Sequence, residues 1–172
     1  MRRKITVFLI IVICFLLQST LFQAWSLASV SPNLLVVVTS AFGFMRGRKE
    51  GMWIGFFSGL LLDIFFGNVL GFYALVCMYI GYVNGFFRKR FFPEDIKLPI
   101  ILISVSDLAY NLLVYLFLFL LRSRFRIFYY FVHIMLPELI YTIGVTVFLY
   151  FILLKINQKL EAVERRSASK FV

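Results

Sequence analysis

The chain has 172 residues, of which 62% are hydrophobic and only 15% charged, with a net charge of +10. An ordinary soluble domain carries about 25% charged residues, and a globule this apolar could not cover its core with polar surface. Composition therefore excludes a water-soluble fold, and the length leaves no room for a catalytic domain beside several spans of about 20 residues each.

Six apolar runs follow in chain order: Ile5–Trp25, Pro32–Met45, Gly51–Phe66, Asn68–Phe87, Leu98–Leu121 and roughly Ile134–Leu154. They predict one all-α, six-span transmembrane domain over residues 1–155, followed by a basic cytoplasmic tail, 156–172. The first run, after Arg2, Arg3 and Lys4, exceeds the 7–15 apolar residues of a signal peptide, so an uncleaved helix is expected despite a possible cleavage site at Ser26-Leu27-Ala28. Ser31-Pro32 reads as the start of the second helix, with Ser as cap and Pro at the first helical position. Runs two and three are short enough for a re-entrant pair. However, burying Arg46, Arg48 and Lys49 between them would cost about 2.5–3.5 kcal/mol each, which favours two full crossings.

With the N-terminus inside, 15 of the 18 cations fall in cytoplasmic segments, and both ends are cytoplasmic. The cations lie in short clusters between apolar runs, so nucleic acid is not an expected partner, whereas membrane lipid is. Arg122, Arg124 and Arg126 are the outer exceptions. Beside Phe128, Tyr129, Tyr130 and Phe131 they read as an interfacial anchor, or as a docking patch for an extracytoplasmic partner.

Gly51, Gly55 and Gly59 form two overlapping G-x-x-x-G repeats on the third helix, and Gly81 and Gly85 repeat the spacing on the fourth. Such stripes let helix backbones approach closely in lipid, by default within the bundle and otherwise against a partner. Asp107 lies near the middle of the fifth run, on one face with Ser104, Asn111 and Tyr115. Interhelical hydrogen bonding is its expected role, and with no cation at mid-depth the acid form is expected. Gln18, Ser19, Thr20, Gln23, Asn33, Asp63, Asn68, His133 and Glu138 all map to the outer side, as a polar cavity or contact surface. Asn68 and Glu138 suit helix starts, but Asp63 near a helix C-terminus is opposed by the dipole and needs a donor. Cys14 and Cys77 read as buried small hydrophobes. His133 has no companions at metal-ligand spacing, and no nucleophile elbow or P-loop occurs, so no enzyme, metal or cofactor is expected.

The segments Leu16-Leu17-Gln18-Ser19-Thr20-Leu21-Phe22, Pro32-Asn33-Leu34, Arg46-Gly47 and Glu50-Gly51 resemble the bacterial rod shape-determining protein MreD family. So does the stretch from Gly55 through Gly59 to Asp63, followed by Leu70-Gly71 and Ala74-Leu75. The resemblance implies a non-enzymatic, multi-pass component of the cytoplasmic membrane that maintains cell shape. It implies binding to an MreC-like single-span protein and indirect association with MreB, a RodA-type glycosyltransferase and a penicillin-binding transpeptidase. It also implies a fold similar to the substrate-binding subunits of energy-coupling factor transporters. A small-molecule-binding subunit of such a transporter is the alternative function. No catalytic residue comes with the resemblance; Asp63, Gly55 and Gly59 match its pattern and point to structural or partner-contact roles.

Overall fold

The computed structural model describes residues 2–21, 32–67, 69–90, 96–120 and 131–168. Six α-helices account for most of them, and no strand occurs among the described residues. The helices are α1 (Arg2–Leu16), α2 (Leu34–Arg46), α3 (Arg48–Phe66), α4 (Phe72–Asn84), α5 (Lys97–Leu120) and α6 (Leu136–Ala168). A π turn, Leu17–Leu21, extends α1; a 3-10 turn, Gly85–Arg90, extends α4; and a second π turn, Phe131–Met135, leads into α6. Among the described residues three stretches are long and apolar enough to cross a membrane: Arg3–Thr20, Lys97–Phe117 and Leu136–Glu164.

Among the described helices, one of the two shortest is the most deeply buried. Every residue of α2 from Leu34 to Met45 is buried, and α1, α3, α4, α5 and α6 all touch it. At 1.5 Å per residue its 13 residues span about 20 Å, less than the hydrocarbon thickness of about 30 Å. A helix enclosed by its neighbours on every face meets no lipid, so its length is set by those neighbours. Its sequence, apolar apart from the small Thr39 and Ser40 and the terminal Arg46, is what such a position requires.

Several boundaries differ from the sequence expectation. Helix α2 begins at Leu34 with Asn33 in the cap position, so Pro32 precedes the helix rather than opening it, and Ser31 lies outside the described residues. Helix α4 begins at Phe72, because Gly71 adopts a left-handed conformation (φ 95°) that ends the preceding turn. Asn68, expected to open that helix, lies outside the described residues. Helix α3 starts earlier than expected, at Arg48, directly after Gly47 (φ 101°), which makes the sharp reversal from α2. Helix α6 does not stop at the apolar boundary near Leu154 but runs on to Ala168, 33 residues in all or about 50 Å.

Candidate functional site

Three constellations hold the predicted residues. The first is the α3–α4 hairpin, the most extensive helix pair among the described residues. Gly51 meets the backbone of Gly81 and Gly43, Gly55 meets that of Cys77, and Gly59 meets that of Tyr73 and Ala74. Gly85 abuts the backbone of Gly47 and Arg48 at the end of the hairpin. A methyl group at any of the three α3 glycines would collide with main chain rather than with a side chain that could turn aside. Gly43 joins the same seam from α2, where an added Cβ would fall 2.7 Å from the Gly81 carbonyl oxygen. The glycine stripe is thus occupied within the chain.

Asp63 finishes this hairpin. Its Oδ1 accepts the Tyr73 N–H and its Oδ2 the Ala74 N–H, both at 2.9 Å, although the side chain is only 2% exposed. Its unfavourable place at the end of α3 is answered by the positive N-terminus of α4, whose first-turn amides it receives. The donor that the sequence left unnamed is the next helix.

The second constellation lies between α2, α5 and α6. Thr142 Oγ1 accepts the Asn33 N–H at 3.3 Å, and the fully buried Asp107 carboxyl faces the Thr142 hydroxyl without a closed hydrogen bond. Asn111 Nδ2 donates to the Asp107 carbonyl oxygen at 3.2 Å, and its amide also faces Glu138. Gln18 Oε1 accepts the Leu35 N–H at 3.2 Å, which brings the end of α1 to the start of α2. Of the expected outer polar group, Gln18, Asn33 and Glu138 thus lie near the α2 start with Asp107 and Asn111. Asp63 is committed to the hairpin, and Ser19 and Thr20 turn back onto the Leu16 carbonyl. His133 is exposed in the π turn. An open apolar groove of about 640 Å³ runs beside this end of α6, lined by Val132, Leu136, Ile140 and Gly144 among others.

Residues that went unrecognised in the sequence complete this seam. Thr142, Thr146, Tyr150 and Asn157 are buried along α6 in line with Glu138, at steps of four and seven residues. That period was present in the sequence but was masked by the apolar residues between them. Asn84 Nδ2 donates to Ser106 Oγ at 2.7 Å and so ties α4 to α5.

The third constellation is ionic. Arg46, with a side chain only 9% exposed, reaches Glu161 at 2.8 Å and Glu164 at 2.9 Å on the extension of α6, and Glu50 at 3.5 Å. Arg3 pairs with Glu50 and with Glu164. The beginning of α1, the α2–α3 turn and the far end of α6 therefore meet at one end of the bundle. Arg122, Arg124 and Arg126, the expected interfacial anchor, lie outside the described residues, as does Gln23.

Among the described residues, an all-helical bundle with three membrane-length apolar helices, glycine seams and buried polar side chains points to an integral membrane protein. The family profile of the rod shape-determining protein MreD matches residues 1–160, and the chain belongs to that family. No curated protein and no solved structure matches it.

Proposed function

We propose that this protein crosses the cytoplasmic membrane six times with both termini inside and acts there as a non-enzymatic scaffold of the cell-elongation machinery. In this reading it binds an MreC-like single-span protein and so helps keep peptidoglycan synthases ordered along the side wall. The observation that carries the reading is family membership over 160 of 172 residues, which implies a role in rod shape determination. Two features support the topology. The cation bias favours six crossings, and the Arg3–Glu50–Arg46–Glu164 network joins the N-terminal segment to the end of α6, as termini on one side require.

The test is affinity purification of the full chain from native membranes in mild detergent, followed by mass spectrometry of what accompanies it. Recovery of a single-span protein with an extracytoplasmic domain, together with cell-wall synthases, is expected. Recovery of an integral coupling subunit with paired ATPases would instead make the chain a transporter subunit and overturn the scaffold.

A further inference from the structure

The cations at the inner end of the bundle fall into two sets with opposite fates. Arg3 and Arg46 are neutralised by Glu50, Glu161 and Glu164. Arg48, Lys49, Arg88, Lys89 and Arg90 are exposed and pair with no carboxylate among the described residues; Glu94 and Asp95 lie outside them. The hairpin itself brings Arg48 and Arg88 to the same junction, and Lys49, Lys89 and Arg90 follow them directly in the chain. Gly85 abuts the backbone of Arg48, which sets the 3-10 turn against the start of α3, and the Arg88 side chain lies over Gly47.

The neighbouring surface is aromatic rather than polar. The Arg48 guanidinium stands 4.7 Å above the Phe86 ring, and Phe86 is itself 52% exposed. Tyr82 contacts Phe86 edge-on at 5.1 Å between centroids, and Tyr79 continues the exposed face of α4 one turn further from the cations. Water would penalise such a face. A membrane interface favours it, with rings at the level of the headgroups and guanidinium groups stacked above them.

We propose that this cation cluster, bordered by Phe86 and Tyr82 where α3 begins and α4 ends, holds the headgroup of an anionic phospholipid. Charge complementarity selects the ligand. Exposed cations on both sides of the α3–α4 junction offer an anion more than one charge, and the aromatic face beside Arg48 suits a ligand that continues into acyl chains rather than a free ion. Each such cation contributes about 1 kcal/mol near an anionic leaflet, equivalent to about a fivefold change in binding. The inference rests on the membrane reading alone and is independent of any MreC-like partner.

The experiment is native mass spectrometry of the detergent-purified full chain titrated with phosphatidylglycerol, with phosphatidylcholine and, separately, with inorganic phosphate. The expected result is retention of phosphatidylglycerol in preference to phosphatidylcholine and no competition from phosphate. The double variant Arg48→Gln/Arg88→Gln should weaken retention by about tenfold or more, and Lys89→Gln/Arg90→Gln should weaken it less. Lys155→Gln/Lys159→Gln, on the exposed side of α6, should leave it unchanged. Equal retention of the two lipids, an unaffected Arg48→Gln/Arg88→Gln variant that remains monodisperse, or displacement by phosphate would each overturn the proposal.

Discussion

The two halves of the bundle are joined by different means. Between α3 and α4 the glycines bring backbone against backbone, and Asp63 bonds the start of α4 to the end of α3. Between α5 and α6 contact is sparser and is made by side chains, with Asp107, Asn111, Glu138 and Thr142 facing one another. Lipid supplies little hydrophobic drive between helices, so both means are available in principle. They differ in tolerance. A backbone seam fails when one atom is added, whereas a side-chain seam can repack, because hydrogen bonds between membrane helices average only about 0.6 kcal/mol.

The largest expected effect breaks the first seam. Gly55→Leu or Gly59→Leu forces α3 from α4, at a cost above about 3 kcal/mol, since overpacking alone typically costs 1–3 kcal/mol and here the obstacle is main chain. Size-exclusion chromatography should show loss of monodisperse protein. Unaltered yield together with an unaltered elution profile would refute the seam. Next comes Asp63→Ala, which leaves the buried Ala74 amide and the part-buried Tyr73 amide without their acceptor and should cost about 3 kcal/mol, read as a fall in the thermal midpoint in detergent. Asp63→Asn should recover part of that, because its single carbonyl oxygen can serve one amide well.

A smaller effect sharpens the contrast at the end of the bundle where the ion pairs lie. Arg46→Gln removes the pairings to Glu161 and Glu164, whose carboxylates are partly exposed, so a loss of about 1 kcal/mol is expected, shrinking at high salt. Protease should then cut the extension of α6 sooner than in the parent protein. The smallest effect falls in the second seam. Asp107→Asn keeps the shape and loses no closed hydrogen bond, so stability should change by less than about 1 kcal/mol and cell-shape support should persist. Complete loss of shape support in that variant would show that the carboxyl does more than fill the seam.

More of the first seam than of the second is legible in the sequence. The glycine spacing and the anomaly of a carboxylate at a helix end are local signals, and Asp63's need for a donor followed from the dipole alone. The donor's identity depended on Gly71 turning the chain so that Phe72 begins α4, which a run of apolar letters does not reveal. The α6 stripe from Glu138 through Thr142 and Thr146 to Asn157 was legible as a period but was diluted by the apolar residues between. Ion pairs from Arg46 to residues 115 and 118 positions away were beyond pattern reading, because only the closed bundle brings them together. For the same reason the helical continuation to Ala168 was missed: its polar residues resemble a tail until Arg46 and Arg3 hold Glu161 and Glu164 in place.

The most direct test of the central claim is depletion of the protein in its own host, with cell width and length followed by microscopy as the protein falls. Rods that widen and round up are expected, restored by the parent chain and by Asp107→Asn but not by Gly55→Leu. Cells that keep their width and length after the protein is gone would contradict a role in rod shape determination.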